Sequence, residues 1–329
     1  MVYFLGTRQW SQLLAAAALF LCATTTLHAQ EWPAKPVKII VPYASGGVTD
    51  MLTRLVANQL SVSMKQSFVV ENQPGASGII GSDRVAKAPA DGYTLLASGM
   101  ASLVIAPSAG QTPFDPMKSF SHVALLGGPP LALVVHPSLL AKDVKEFIAY
   151  ANAQPQGLSY GSPGSGTHNH LMGELFRART GTKLTHISYK GGGPATIDLL
   201  GGHIKAAFLT FSTVAEHVKS GKLRLLAVTS SSRLAGHEGV PTFAQLDYDY
   251  LTTNNWCGIS APAGTPTAVV NKLNEEIQKA MRSVEFRAVM KSEFMEPNTF
   301  DAAGFADYFG KEITRWAPVV KAANLKLGG

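Results

Sequence analysis

The chain has 329 residues, of which 46% are hydrophobic, and its 28 Lys and Arg against 22 Asp and Glu give a formal net charge of +6. A chain of this length buries a sufficient core without disulfides and is long enough to divide into two lobes. Its basic residues are spread out and form no run, so the composition excludes an extended nucleic-acid-binding surface and suits a small acidic ligand.

The first 29 residues have the pattern of a cleavable signal peptide. Arg8 precedes an apolar core, Leu13–Cys22, and a polar stretch that ends at Ala29, a residue that suits signal peptidase. A retained membrane anchor is the alternative, but the apolar core is shorter than the ~20 residues that span a bilayer. Residues 1–29 are therefore predicted to be removed on export, which leaves Cys257 without a partner for an internal disulfide.

Beyond the signal peptide, short β-rich runs alternate with helical patterns. The predicted strands are Val37–Val41, Phe68–Val70, Tyr93–Ala97, Val123–Leu126, Leu131–Val135, Leu184–Ser188, Ala206–Leu209 and Leu223–Val228. The predicted helices are Met51–Leu60, Val144–Ala151, His170–Arg179, Ala195–Leu200, Val214–Lys219, Val269–Met281 and Phe305–Val320. This alternation predicts an α/β fold with mostly parallel strands and right-handed crossovers.

Turn-forming residues cluster at two places, Gly127–Pro130 and Ala261–Pro266, and each cluster follows a strand-like segment. We interpret them as two crossings between lobes, the second near Ser260–Pro262. The first lobe is then discontinuous, with residues 30–128 and 261–329, and the second lobe comprises residues 129–260. Ordinary surface turns within one larger domain are the alternative.

A glycine-containing turn joins the first predicted strand to the first helix, within Val37–Leu60. Glycines at such a turn leave backbone N–H groups free, and the helix dipole adds partial positive charge there. The turn is therefore a candidate site for a carboxylate or phosphate. Its predicted contacts are Ser45, Gly46 and Gly47.

Three neighbouring side chains have competing roles in this turn. Thr49 and Asp50 suit the capping of a helix N-terminus. Capping is the favoured role for Asp50, because its carboxylate would repel a bound anion. Tyr43 either provides a flat wall with a hydroxyl donor or packs against the core, and the pattern leaves both open.

A second turn of the same kind lies within Leu158–Phe176, before a helix that begins near His168. Its glycines free the backbone and its hydroxyls can donate hydrogen bonds. His168 and His170 form a His-x-His pair, but no acidic or cysteine partner follows at metal-ligand spacing, so no metal is predicted. The predicted contacts of this turn are Gly164, Ser165, Gly166 and Thr167.

Two further glycine-rich segments resemble nucleotide-binding motifs only superficially. Gln73–Gly81 has the spacing G-x-x-G-x-x-G instead of G-x-G-x-x-G, which favours a tight turn with close helix packing. In Tyr189–Pro194 the lysine precedes the glycines, the wrong order for a phosphate-binding loop. Lys190 is interpreted as a surface or rim cation, and no cofactor is predicted.

Enzymatic motifs are scarce. The chain has no G-x-S-x-G nucleophile motif, and Cys257 lies in a strand-like segment where a buried, inert thiol is expected. An exported hydrolase is the alternative from another functional class, and it would need a nucleophile and a base facing a cleft.

Taken together, these segments resemble the Bug family, the extracytoplasmic solute receptors of tripartite tricarboxylate transporters. The resemblance runs from about Trp32 to the C-terminus. It is carried by WPAKPVKIIVPYASGGVTDMLTRLVANQL, VVENQPGASGIIGSDRVAKAPADGYTLL, GSPGSGTHNHLMGELF, HISYKGGGPATIDLLGGHIKAAF, LRLLAVTSSSR with VPTFAQL, and GISAPAGTPTAVVNKLNEEI.

The resemblance implies a two-lobed periplasmic binding protein of type II-like α/β architecture, each lobe a mixed, mostly parallel sheet flanked by helices. It implies a non-enzymatic, monomeric periplasmic protein that captures a di- or tricarboxylate or an aromatic acid and delivers it to integral-membrane permease subunits. A receptor for a signalling system would share these features. The ligand contacts that it implies are Tyr43, Ala44, Ser45, Gly46, Gly47, Thr49, Met100, Ala101, Ser102, Gly164, Ser165, Gly166, Thr167, His170, Thr210, Phe211 and Ser212.

The chain departs from the family pattern in its first turn. A Phe and often a Pro occupy the positions of Tyr43 and Ser45 in the family, so two extra hydroxyls imply a more polar or wetter ligand end here. His170 matches a recurrent family histidine, whereas His168 falls at a variable position.

Overall fold

The computed structural model describes residues 32–110 and 112–324. The predicted signal peptide, residues 1–29, lies outside this range. Within the range, no helix combines the length and apolar character needed to cross a bilayer.

Strands and helices alternate along the described chain as the sequence patterns predict. The strands are β1 (Val37–Val41), β2 (Phe68–Asn72), β3 (Thr94–Gly99), β4 (Phe120–Gly127), β5 (Leu131–Val135), β6 (Leu158–Ser162), β7 (Leu184–Ser188), β8 (Ala206–Thr210), β9 (Arg224–Val228) and β10 (Cys257–Pro262). The helices are α1 (Val48–Ser63), α2 (Ile79–Ala86), a π-helix (Met100–Ile105) that continues into α3 (Ala106–Ser108), α4 (Val144–Ala153), α5 (His168–Thr180), α6 (Gly192–Leu200), α7 (Phe211–Lys219), α8 (Thr267–Met281), α9 (Val284–Ser292) and α10 (Ala302–Ala322).

Each half of the fold is built on a five-stranded sheet. The first has the order β2-β1-β3-β10-β4 and the second β7-β6-β8-β5-β9. In the first sheet β10 runs antiparallel to both neighbours, and in the second β5 does the same. The other strands of each sheet therefore share one direction. The predicted two-lobed α/β fold with mixed, mostly parallel sheets is confirmed.

Alternating side chains explain why helices cover both faces of the second sheet. In β5, Leu133 points into the same apolar cluster as Phe147 of α4 and Phe176 of α5. Its neighbour Val134 points to the opposite face, where it joins Leu199 of α6. Successive strand residues face opposite sides, so a continuously apolar strand such as β5 is stable only between two helical layers.

The second predicted crossing needs a correction. Cys257 and Ser260 pair with β3 and β4, so they belong to the first sheet and not to the second lobe. The chain returns before β10, where Asn255 N donates to Pro129 O at 2.9 Å. The positions of turn-forming residues misplaced this boundary, because β10 pairs with strands that are distant from it in the sequence. The other residue limits of the lobes stay a prediction.

The two crossing segments touch each other. A Cβ atom on Gly128 would lie 2.1 Å from Asn255 O and 2.7 Å from Trp256 Cα. Both contacts are to backbone, which cannot turn aside as a side chain can. The absence of a side chain at Gly128 therefore lets the crossings lie side by side.

The glycine-rich segment after β2 forms a tight turn, as predicted. Gly75 and Gly78 have positive φ angles of 136° and 91°, which only glycine adopts readily. Gly81, in α2, lies so close to β1 that an added Cβ would be 3.0 Å from Pro42 Cα. These glycines therefore allow the positive φ angles of the turn and the close packing of α2.

The C-terminal helix α10 contacts the returning crossing segment through a buried carboxylate. Glu312 is 4% exposed, and its Oε2 accepts from the indole N–H groups of Trp256 at 3.1 Å and Trp316 at 3.2 Å. Arg315 Nη1 lies 3.6 Å from Oε1. Burial raises the pKa of Glu312, and the attraction of Arg315 and the two indole hydrogen bonds oppose that shift.

Candidate functional site

A cavity of about 320 Å³ lies between the two glycine-containing turns. Helices begin around it because β1, β3, β6, β7 and β8 are parallel within their sheets, and each is followed directly by a helix. The carboxyl ends of such strands are the usual ligand-binding edge of α/β sheets. The first turns of five helices line the cavity, through Thr49 of α1, Met100 of the π-helix, Asn169 of α5, Gly192 of α6 and Thr213 of α7.

The structure brings part of the predicted contact set together. The predicted residues that line the cavity are Tyr43, Ala44, Gly47, Thr49, Met100, Ala101, Thr167 and Thr210. The predicted residues outside the lining are Ser45, Gly46, Ser102, Gly164, Ser165, Gly166, His170, Phe211 and Ser212. The lining also includes residues not predicted as contacts, namely Asp50, Gly99, Pro163, His168, Asn169, Gly192, Thr213, Asn255 and Trp256.

In the first turn, Asp50 organises the backbone. It is 4% exposed and accepts from Gly46 N at 3.0 Å, Asn72 Nδ2 at 2.8 Å and Arg54 Nε at 3.1 Å. Burial opposes its ionisation, but the hydrogen bonds from Arg54, Gly46 and Asn72 outweigh it and lower the pKa of Asp50. The capping role favoured for Asp50 is wrong, because α1 has no side-chain cap and the carboxylate bonds to Gly46 N, before the helix, and to Arg54 and Asn72. The N–H of Gly46 is consequently occupied, contrary to the expectation that it would be free.

Other N–H groups of this turn stay uncommitted. Helix α1 begins after Gly47, which provides no side-chain cap, and Met51 N is the first amide that bonds back to it, at 3.0 Å. The N–H groups of Val48 and Thr49 have no acceptor within the described chain, as expected for the first turn of a helix. Thr49 lines the cavity, so its amide is a donor available to an anion there.

Tyr43 forms one wall of the cavity and is half-buried. Its hydroxyl donates to Ser102 Oγ at 3.2 Å, and burial raises its pKa, so the phenol stays protonated near neutral pH. The sequence did not distinguish between a role in the cavity wall and a role in packing, and Tyr43 has both. Ser102 lies behind Tyr43 and supports it instead of lining the cavity.

The second turn satisfies its own amides. Gly164 N donates to Ser162 Oγ at 3.3 Å and Ser165 N to Ser188 Oγ at 2.9 Å. Gly166 N donates to His170 Nδ1 at 3.1 Å, and Thr167 N to Gly164 O at 3.3 Å. The prediction that glycines free this backbone for an anion is wrong for these amides, because three side chains and the carbonyl of Gly164 accept from them.

His170 shapes the turn from inside. Its ring stacks on His186 with centroids 3.7 Å apart, and it is 7% exposed. Burial lowers the pKa of His170, so the neutral ring keeps Nδ1 available as an acceptor for Gly166. His170 therefore positions the turn in this chain.

The first turn of α5 presents two side chains to the cavity that sequence reasoning missed. His168 and Asn169 line it, and they are 3% and 4% exposed. Burial, with a smaller effect of Arg315, lowers the pKa of His168 to about 3, so this ring is neutral. His168 Nδ1 and Asn169 Nδ2 have no hydrogen-bond partner among the described residues. Only the tertiary packing of α5 against the first lobe buries them.

The electrostatic character of the cavity comes from backbone dipoles. Its lining contains no Lys or Arg among residues 32–110 and 112–324, and Asp50 is paired with Arg54. Lys190 is exposed and lies outside the lining, in agreement with its interpretation as a surface cation. Cys257 is buried, and burial raises the pKa of its thiol to about 12, in agreement with the expected inert thiol.

A larger cavity, of about 390 Å³, lies between α5 and α10 and is lined by residues such as Arg177, Tyr250 and Val319. It lies along the sides and C-terminal halves of both helices, where backbone N–H groups are used within the helix. The cavity between the glycine-containing turns is therefore the better candidate site.

Comparison with known proteins agrees with this site. The profile of the tripartite tricarboxylate transporter family receptor matches residues 52–325. The chain belongs to this family. Protein BugT of Bordetella pertussis is 35% identical over 325 residues, which cover 96% of this chain and 99% of BugT.

Solved structures of related proteins have the same fold. Rpa4515 of R. palustris, solved with adipate, is 34% identical, with a TM-score of 0.75 and coverage of 90% of this chain and 99% of that one. MatC of Rhodopseudomonas palustris, solved with bound malate, is 27% identical, with a TM-score of 0.74 and coverage of 88% and 100%. This receptor is thus similar to proteins whose bound ligands are carboxylates.

The buried histidines predict that the receptor loses stability in mild acid. Burial lowers the pKa of His122 to about 4 and that of His168 to about 3, whereas an unfolded histidine titrates near 6.5. Between these values the unfolded state binds more protons, so stability is full above pH 6.5 and falls as the pH drops toward 4. Each histidine should cost about 1–2 kcal/mol between pH 7 and pH 5.

Denaturant unfolding at pH 7 and pH 5 checks this expectation with His122→Asn, since His122 lies outside the cavity lining. An asparagine side chain can keep the hydrogen bond between His122 Nδ1 and Ser260 Oγ, but it does not titrate. The variant should lose about 1–2 kcal/mol less than the wild type between the two pH values. An equal loss in both proteins would contradict the assignment.

Proposed function

We propose that this receptor captures a small organic acid, a di- or tricarboxylate or an aromatic acid, in the cavity between its two turns. The observation that carries the proposal is the convergence of helix N-termini on one cavity, with the free amide of Thr49 among its lining residues. An anion at a helix N-terminus gains about 0.3–1 kcal/mol, and up to about 2 when partly buried. Charge-assisted hydrogen bonds add about 1.5–3 kcal/mol each, so a few donors suffice for micromolar binding.

Two further properties of the cavity support an acid as the ligand. Its volume, about 320 Å³, is at the lower end of small-molecule sites, and its one carboxylate, that of Asp50, is turned to Arg54, Gly46 and Asn72. The relatives solved with adipate and malate show that this fold accommodates carboxylates of several lengths.

We propose that the receptor acts in the periplasm, after removal of residues 1–29, and hands its ligand to the permease subunits of a tripartite tricarboxylate-type transporter. Membership of the receptor family supports this assignment. We propose a binding role without catalysis, since the thiol of Cys257 is protonated at neutral pH and the lowered pKa of His168 makes its ring a weak base. Delivery to a sensor protein is a separate possibility that a co-purification with the permease subunits would test.

The ligand class is tested by a thermal-shift panel of succinate, malate, adipate, citrate and benzoate, followed by calorimetry. A ligand at 100 times its Kd stabilises the native state by about 2.7 kcal/mol, so at least one acid should raise the melting temperature of the mature chain clearly. If none of the acids shifts it, the proposed function is wrong.

A pair of variants separates backbone from side-chain recognition. Gly46→Val should weaken binding of the acid at least tenfold, because Gly46 has a φ of +92° that a branched residue does not tolerate. An added Cβ at Gly46 meets no atom within 4 Å, so the effect comes from distortion of the turn. Lys190→Ala should change the affinity less than about threefold, since an exposed lysine is screened by solvent. The reverse order, measured by calorimetry, would contradict recognition by the turn.

A further inference from the structure

Asn169 stands out among the buried polar side chains of this receptor. It occupies the first turn of α5, lines the candidate cavity and is 4% exposed. Its Nδ2 has no hydrogen-bond partner among residues 32–110 and 112–324. A buried amide without a partner is unfavourable, and native proteins rarely keep one without a reason.

Two asparagines of the first lobe show how a side-chain amide is normally hydrogen-bonded. Asn72 Nδ2 donates to Asp50 Oδ1 at 2.8 Å, and Asn274 Nδ2 donates to Val123 O at 2.7 Å. Asn274 is also buried, at 8% exposure, so burial by itself does not explain an unpaired amide. Asn298 Nδ2 lacks a partner too, but that side chain is half-buried and lies outside the cavity lining. What distinguishes Asn169 is the combination of an unpaired amide, 4% exposure and a place on the cavity wall.

The cavity wall around Asn169 has further polar groups that are free to form hydrogen bonds. The N–H groups of His168 and Asn169 have no acceptor within the described chain, and His168 Nδ1 is likewise unpaired. The amides of the preceding glycine turn are already used, by Ser162, Ser188 and His170 among others. The donors left on this side of the cavity therefore belong to the first turn of α5.

We infer that Asn169 is a ligand-binding residue that determines specificity. Its amide donates to an oxygen acceptor, a carboxylate or carbonyl, at the end of the acid opposite the first turn of α1. A site built to hydrogen-bond such a group discriminates against analogues that lack it, because its own polar atoms are then left unpaired. This inference rests on the proposed function, because it assigns Asn169 as the residue that binds the second acidic group of the ligand.

The test uses Asn169→Leu, which is similar in size but cannot hydrogen-bond, with Asn169→Ala as a second variant. Asn274→Leu is the matched control, since it removes a buried asparagine that is paired and lies outside the cavity. Melting temperatures are measured without ligand. Calorimetry then covers the five acids of the panel and two monocarboxylates, butyrate and hexanoate, which lack the second acceptor of succinate and adipate.

Without ligand, Asn169→Leu should melt at or above the wild-type temperature, because an unpaired buried amide is removed, whereas Asn274→Leu should melt lower. Every di- or tricarboxylate that binds the wild type should bind both Asn169 variants about 10- to 100-fold more weakly. Asn274→Leu should keep wild-type affinity, and the monocarboxylates should bind the wild type and the Asn169 variants within about threefold of each other.

The outcomes separate this inference from the proposed function. If no acid binds the wild type, the proposed function fails and the inference falls with it. If acids bind and the Asn169 variants keep their affinity, or if the wild type does not prefer acids with a second acceptor, the inference alone is wrong. A lower ligand-free melting temperature of both Asn169 variants with unchanged affinity would assign Asn169 a structural role instead.

Discussion

Gly128→Ala should destabilise this receptor by about 3 kcal/mol, the largest effect expected for the addition of a single methyl group. The added Cβ would lie 2.1 Å from Asn255 O and 2.4 Å from Asn255 C, so the two crossing segments would have to separate. Separation would also strain the hydrogen bond from Asn255 N to Pro129 O. We expect a melting temperature at least about 6 °C lower in differential scanning calorimetry.

A matched control exists at Gly239, which is exposed and whose added Cβ would meet no atom within 4 Å. Gly239→Ala should leave the melting temperature within about 1 °C of wild type. Gly127→Ala should fall between the two, because its φ of +91° costs about 1–2 kcal/mol although its nearest neighbour, Met295 Cε, is 3.4 Å away. Equal melting temperatures for Gly128→Ala and Gly239→Ala would refute the close approach of the crossings.

Glu312→Leu should cost about 2–4 kcal/mol, because it leaves the indole N–H groups of Trp256 and Trp316 without an acceptor in a buried site. Trp256 also lines the candidate cavity, so the variant should bind its acid more weakly as well. The free energy of unfolding in urea and the affinity by calorimetry report the two effects.

Glu312→Gln separates the hydrogen bonds from the charge. The glutamine carbonyl can still accept from both indoles, and it avoids the burial of a carboxylate that raises the pKa of Glu312. This variant should therefore lie within about 1 kcal/mol of wild type. If Glu312→Gln were as unstable as Glu312→Leu, attraction between Glu312 and Arg315 would be the main contribution instead.

The sequence predicted most elements because their hydrophobic patterns are local. β1, β5 and β7 have the predicted limits, and α1, α5 and α8 extend the predicted helices by a few residues. β6 was absent from the predicted strands, since Leu158–Ser162 contains only two large apolar residues and gains its strand pairing from β7 and β8. The π-helix, α2 and α9 were also absent from the predicted helices.

The candidate site was likewise predicted only in part. Alternation of strands and helices placed helix N-termini at one edge, and the two glycine-containing turns do flank one cavity. Which amides stay free could not be read from glycine spacing, since the N–H of Gly46 is taken by Asp50 and that of Gly166 by His170. His168 was set aside as a variable position, yet it lines the cavity.

By itself, then, the sequence determined the α/β class, the alternation of elements and the position of the two turns, because hydrophobic periodicity and glycine conformation act over a few residues. Only the tertiary structure decided the side of the crossing on which Cys257–Ser260 lies, and it alone decided which donors face the cavity. Both depend on partners distant in the chain: β10 on β3 and β4, and Asn169 on a first lobe that buries its amide without pairing it.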